Sequence, residues 1–211
     1  MRRKRLHHLV QSAMVLCAAA VGPAAAQGTG GSSVPFEEKE LHGDFASDGG
    51  CETQLRPNGS PSHFHRAYHF APDGTWRMVR TFHADKTCNS PLLILRLAGT
   101  YSLGQTSPIV AAARAAALSF DLIHVTLQNA KAKPMVAGCG AGAWQVGLEK
   151  DVSGTGCPGL EFKPLAECSV DHDIAQIRDG VLYPGVRTSD MCTPEGRPTA
   201  LQPTGARRVS G

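Results

Sequence analysis

The run His63-Phe64-His65-Arg66-Ala67-Tyr68-His69-Phe70, followed by Ala71-Pro72-Asp73-Gly74 and then Thr75-Trp76-Arg77-Met78-Val79-Arg80-Thr81-Phe82-His83, decides the fold. Phe64, Arg66, Tyr68 and Phe70 alternate with His63, His65, Ala67 and His69. Trp76, Met78, Arg80 and Phe82 alternate with Arg77, Val79, Thr81 and His83. A period of two sends neighbouring side chains to opposite faces, so each run reads as a strand with one aromatic face. An Asp-Gly turn between two such runs predicts a β-hairpin.

The same period extends outward. Pro91 introduces Leu92 to Tyr101, where Leu93, Leu95, Leu97 and Tyr101 share a face. Leu118, Phe120 and Leu122 lie on one side of the next run, whereas Ile123, Val125 and Leu127 take the other; that change of phase predicts a bulge or sharp bend near Leu122. Further strands are expected at Ala143 to Val152, Gly159 to Leu165, Ile174 to Ile177 and Val181 to Tyr183. Ala111 to Ala117, six alanines around Arg114, has the highest helix propensity in the chain, and its residues leave helix and strand equally open. With no long amphipathic helix to cross between strands, the expectation is an all-β fold: an antiparallel, closed or nearly closed β-barrel of lipocalin-like architecture, closure being the way such a sheet removes its edges.

The ends differ from this middle. Residues 1–26 read as a signal peptide: four positive charges within Met1 to Arg5, a mostly apolar Leu9 to Val21, and Ala24-Ala25-Ala26 as a cleavage site. Residues 27–39 read as a flexible Gly/Ser-rich segment, 40–184 as the barrel domain, and 185–211 as an irregular C-terminal segment pinned by Cys192. No later stretch approaches the eighteen or so consecutive apolar residues of a membrane span. The whole chain of 211 residues has 21 basic and 18 acidic side chains, but without the leader the balance is 17 to 18, so no nucleic-acid or anionic-membrane partner is expected. The expected location is outside the cytoplasm, periplasmic or extracellular.

Six cysteines remain after the leader: Cys51, Cys88, Cys139, Cys157, Cys168 and Cys192. An even count in an exported chain, with no closely spaced Cys-Cys pair of the zinc-site kind, reads as three disulfides. Pairing in sequence order is the simplest of the fifteen arrangements that six cysteines permit, and the sequence does not choose among them.

Catalytic signatures are absent. There is no Gly-x-Ser-x-Gly elbow and no His-Glu-x-x-His, and Gly138 to Gly142 lacks the Lys-Ser/Thr of a phosphate loop. Asp44, Asp85, Glu149 and Asp151 have no spacing that makes an acid and base of any two. His63, His65 and His69 share a strand face and could meet a metal, yet alternate polar residues on a strand more often mark its solvent side. Arg66, among Phe64, Tyr68 and Phe70, must either pair with a buried carboxylate or meet the acidic head of a ligand; Arg80 between Met78 and Phe82 poses the same choice.

His42-Gly43-Asp44-Phe45-Ala46-Ser47, Cys51-Glu52, Arg56-Pro57 and Arg66-Ala67-Tyr68-His69-Phe70 together resemble the opening of the domain of the adenomatosis-polyposis-coli-down-regulated (APCDD) Wnt-antagonist family. So do Thr75-Trp76, Asp85 three places before Cys88, and Gly99-Thr100-Tyr101-Ser102. Cys139-Gly140-Ala141-Gly142-Ala143-Trp144-Gln145-Val146-Gly147, with Asp151-Val152 and Gly156-Cys157, is the most specific part. The resemblance spans about Glu40 to Pro184 and, more loosely, reaches Val209. Phe45 stands where the family usually has Trp, His63 and His65 alter the start of the aromatic strand, and Cys168 with Cys192 are additions. The animal proteins carry two such domains and a membrane anchor; one domain, a leader and a composition of bacterial look are expected here, so Wnt antagonism is not carried across. The resemblance implies an antiparallel barrel with an apolar interior suited to a lipid or acyl chain, and it turns Ala111 to Ala117 toward strand.

The expected function is a non-catalytic, disulfide-stapled binding module, without cofactor or metal, that holds a lipid or other apolar small molecule. Phe64, Tyr68, Trp76, Phe82, Leu93, Leu95, Phe120 and Leu122 are the expected lining, with Arg66 or Arg80 at an acidic head group. The rival expectations are a solid interaction module for a cell-envelope protein and a metal-dependent enzyme using His63, His65 and His69.

Overall fold

The alternation of the aromatic hairpin becomes a register. In the computed structural model, which describes residues 34–55, 59–188 and 190–209, Phe64 faces Phe82, Arg66 faces Arg80, Tyr68 faces Met78 and Phe70 faces Trp76. The expected leader, most of the expected flexible segment and Arg56-Pro57 lie outside the described residues. At the turn, Gly74 takes a left-handed φ of 84° and Asp73 accepts hydrogen bonds from the Thr75 amide at 2.9 Å and hydroxyl at 2.7 Å.

The strands in chain order are β1 (Gly43–Ser47), β2 (Glu52–Leu55), β3 (Pro61–Phe70), β4 (Thr75–His83), β5 (Pro91–Thr106), β6 (Arg114–Ser119), β7 (Leu122–Leu127), β8 (Glu149–Asp151), β9 (Val170–Arg178), β10 (Val181–Pro184) and β11 (Ala206–Arg208). Eight of them close a ring, β3-β1-β11-β10-β9-β6-β5-β4 and back to β3, every neighbour antiparallel. The protein is an all-β, antiparallel, closed barrel with three disulfides, as expected.

Two breaks shape the barrel. β1 and β2 lie end to end along β3, β1 against Ala67–Phe70 and β2 against Pro61–Phe64. β6 and β7 lie end to end along β5, with β6 entering the ring and β7 carrying β8 away from it. The change of phase read near Leu122 is this second break, at Phe120 and Asp121. It passes over Gly99 of β5, where a Cβ would sit 1.9 Å from the Ser119 carbonyl oxygen. The same oxygen accepts a hydrogen bond from Trp76 Nε1 at 3.0 Å.

The half of the barrel nearest the Asp-Gly turn is filled. Phe70 meets Phe45, Trp76 and Tyr101 at ring-centroid distances of 6.4, 6.4 and 5.3 Å. Phe36, at the end of the segment expected to be flexible, is buried there beneath the Arg114 guanidinium. Arg114 itself begins a strand, so the alanine run is strand from that point; Ala112, in the preceding turn, has a φ of 58°.

Three expectations need correction. Of Ala143 to Val152 only Glu149–Asp151 is strand, because Gly142 and Gly147 adopt left-handed φ of 72° and 82°. Gly159 to Leu165 is not a strand: a 3₁₀ turn at Pro158–Leu160 and a left-handed Glu161 leave only Phe162 bridged to Cys157, and Pro158 and Pro164 carry no amide donors. The C-terminal segment expected to be irregular supplies β11, a stave between β1 and β10, so a boundary at residue 184 would cut the ring. A three-residue stave whose Arg207 and Arg208 make polar bonds at the barrel's surface gives no apolar alternation to read.

The disulfides join Cys51 to Cys88, Cys139 to Cys157 and Cys168 to Cys192, the order of the sequence. The first ties the β1–β2 break to the loop after β4. The second closes the cover that follows β7, and the third ties the start of β9 to the C-terminal segment. Among the described residues no helix is long and apolar enough to cross a membrane.

Candidate functional site

Beyond the filled half, the inward faces of β3, β4 and β5 continue with Phe64, Arg80, Phe82, Leu95 and Leu97, while Leu118 of β6 and Asp171 and Asp173 of β9 line the same space. The result is a cavity of about 1010 Å³. The rest of its wall comes from loops and strand ends: Thr155 and Pro158–Pro164 from the cover, Pro184–Thr188 with Met191, and Gln202–Thr204. Leu55 and Val186, 69% and 40% exposed, stand at its mouth.

Of the expected lining, Phe64, Tyr68, Trp76, Arg80, Phe82, Leu95 and Phe120 line this cavity. Three residues stand elsewhere. Leu93 is fully buried in the core, paired across β5 and β7 with Leu127. Leu122 pairs with Ala98 on the face opposite to Ile123, because the strand break resets the phase between Phe120 and Leu122. Arg66 is outside the cavity wall, and Glu52 explains why.

Arg66 and Glu52 form a fully buried ion pair, Nη2 to Oε2 at 2.7 Å, with side chains 0% and 5% exposed. Arg66 also donates to Gln202 Oε1 at 2.7 Å and the Thr204 carbonyl at 3.0 Å. Glu52 accepts from Ser47 Oγ at 2.6 Å and Thr204 Oγ1 at 2.8 Å. This network knits β2, β3 and the C-terminal segment into the rim; it spends the arginine's charge inside the protein. Nothing in the sequence marks Glu52 as the partner, since it reaches Arg66 only through the pairing of β2 with β3.

Arg80, directly across from Arg66, has no such partner. Its guanidinium lies 4.6 Å from the Phe64 ring centroid and 5.8 Å from that of Phe82. Its Nε is shut off from solvent with no hydrogen bond among the described residues. Burial pushes its pKa down from the ordinary arginine value, opposed in part by Tyr68. A guanidinium nonetheless stays charged, so Arg80 is a cation in the cavity wall with no ion-pair partner among the described residues.

Of the acidic residues that line the cavity, Glu161 and Glu167 are exposed, and Asp171 and Asp173 are held by other partners. Asp171 is paired with Arg187. Asp173 Oδ1 accepts from the Ile174 and Gly185 amides at 2.7 and 3.1 Å, and burial pushes its carboxyl up to about 7, those two amides working against the shift.

The outer face of the hairpin carries the histidines. His69 bonds Asp44 at 2.8 Å and His63 bonds Thr53 at 2.9 Å, so the strand trio is not assembled at one point. The structure instead brings His65 to His83, their rings 5.3 Å apart. Among the candidate acids, His124 lies between Glu149 at 3.0 Å and Asp151 at 4.0 Å, on the exposed end of the sheet away from the cavity.

The family described as Adenomatosis polyposis coli down-regulated 1 matches residues 31–139. The chain belongs to this family. The matched residues carry β1 to β7, including both facing arginines and the aromatic wall of this APCDD domain. The rim built by residues 155–204 lies beyond them. The match does not bear out the bacterial look read from the leader and composition.

Proposed function

We propose that this APCDD protein is an exported, non-catalytic carrier whose cavity takes a molecule with an apolar chain and an anionic head, the head meeting Arg80. The observation that carries the reading is an unpaired guanidinium inside an aromatic-walled cavity of about 1010 Å³. Small-molecule sites run from about 300 to 1,000 Å³, mostly apolar with a few orienting polar groups. A chain laid along Phe64, Trp76, Phe82 and Phe120 would gain about 0.8 kcal/mol for each methylene taken from water. A carboxylate would supply Arg80 with the charge-assisted bonds it lacks. Three disulfides suit an oxidising compartment, and the leader read at residues 1–26 supplies the route there.

The test is displacement of a fluorescent fatty acid from the purified protein by a series of saturated carboxylates, beside native mass spectrometry of protein as isolated. Affinity should rise with chain length until the cavity is full. Arg80→Leu should weaken carboxylates at least tenfold while leaving their methyl esters unchanged. No displacement together with no co-purified lipid defeats the proposal. N-terminal sequencing of exported protein should begin at Gln27.

A further inference from the structure

We propose that His65 and His83 form a binding site for a borderline transition-metal dication, Zn²⁺ or Cu²⁺, on the outer face of the barrel. The two side chains come from neighbouring strands, β3 and β4, one register step apart on the diagonal, since His65 pairs with Thr81 and His63 with His83. Their nearest ring nitrogens and Cys88 Sγ all lie within 4.8 Å of one another. Two nitrogens bound to one tetrahedral ion at about 2.0 to 2.1 Å each stand roughly 3.4 Å apart, which rotation of the exposed His65 ring can reach.

His83 supplies an independent observation. Both of its ring nitrogens are closed off from solvent and neither has a hydrogen-bond partner among the described residues. A shielded imidazole usually satisfies at least one nitrogen, and one that does not needs an explanation. A bound ion takes the free lone pair and leaves the other nitrogen as the N–H. The backbone adds to the argument, because the β4–β5 register shifts between Phe82 and His83, and such bulges redirect the side chain beside them.

The donor set decides the ion. Cys88 Sγ is bonded to Cys51, so the oxidised protein offers two imidazoles and leaves the remaining positions to water. Neutral nitrogen ligands suit zinc and copper, whereas calcium and magnesium require oxygen. Of the two ions, Cu²⁺ should bind more tightly. The site lies across the sheet from the cavity, so it stands or falls separately from the carrier proposal.

The experiment is calorimetric titration of the oxidised, tag-free protein with Zn²⁺, Cu²⁺ and Mg²⁺, joined to electron paramagnetic resonance of the copper form. One Zn²⁺ or Cu²⁺ per chain is expected, with no Mg²⁺ heat, and a nitrogen hyperfine pattern from two imidazoles. His65→Ala, at an exposed position that the fold does not need, should lower affinity at least tenfold and leave a one-nitrogen pattern; His83→Ala should do the same. His69→Ala, whose ring is turned to Asp44, should change neither. Absence of saturable binding overturns the site, and so does binding that survives His65→Ala undiminished.

Discussion

Along the same three strands the barrel is solid at one end and hollow at the other. Near the turn, a void of about 40 Å³ lies between Leu41, Tyr101 and Leu182; toward the mouth the cavity is about 1010 Å³. Side-chain size does not make the difference, since Phe64 and Phe82 are as bulky as Phe70. What differs is the opposite wall. At the turn end Phe45 of β1 and Tyr101 of β5 pack against Phe70; at the mouth β2 and β7 lie outside the ring, and loops complete the wall that Leu118, Asp171 and Asp173 begin. The breaks at 48–51 and 120–121 therefore set the interior volume more than the residues that line it.

The largest expected effect is at the rim of the hollow end. Glu52→Ala leaves Arg66 buried without its counter-charge and removes the acceptor that holds Thr204. Loss of one partner of a buried ion pair costs about 3–5 kcal/mol, to be read from urea unfolding. A loss under about 1 kcal/mol would mean that water reaches the pair and that the rim is less closed than its hydrogen bonds imply. Next comes the joint between the two ends. Gly99→Ala pushes a methyl group into the Ser119 carbonyl, 1.9 Å away, and the conflict is with backbone that also anchors Trp76. Overpacking costs about 1–3 kcal/mol, and the upper end is expected here, with altered Trp76 fluorescence. Unchanged fluorescence and stability would show that β6 is free to move off β5.

The solid end was legible in the sequence and the hollow end only in part. Alternation and the Asp-Gly turn specify β3 and β4 because local pairing and side-chain facing depend on neighbours in the chain. The bend after Ser119 shows in the sequence as a change of phase, but not which residue starts the new phase, so the pattern predicts Leu122 inward where the structure buries Ile123. The partner of Arg66, the stave at Ala206–Arg208 and the cavity's loop wall all arise from contacts between distant segments, which leave no period. His65 was visible as one of three strand histidines; its actual neighbour, His83, required the register of β3 with β4.

A third test sharpens the comparison through charge. Asp173 lines the hollow, and burial raises its carboxyl to about 7 from an ordinary 3.8. In the unfolded chain it ionises near 3.8, whereas folded protein keeps the proton until about 7. The folded state therefore binds more protons across that window, and stability falls as pH rises from about 4 to about 7, then levels. The loss is expected to be on the order of 2 kcal/mol once solvent relaxation is allowed for. Asp173→Asn keeps an oxygen for the Ile174 and Gly185 amides, so it should flatten this part of the profile. A slope that persists in the variant assigns the titration to another group.

The smallest effect on stability, and the most telling in sign, belongs to Arg80. It faces Arg66 across β3 and β4, yet Arg66→Leu would orphan Glu52, whereas Arg80→Leu orphans nothing. An arginine without a counter-ion in such a place contributes packing against Phe64 and Phe82 and a desolvation cost. Leucine retains much of the packing and removes the cost, so unliganded Arg80→Leu should match or slightly exceed the parent, within about 1 kcal/mol. With a long-chain carboxylate present the order should reverse, because only the parent gains stability from the bound head group. Were the unliganded variant to lose several kcal/mol instead, Arg80 would be a structural element like Arg66, and not the group that meets an anionic head.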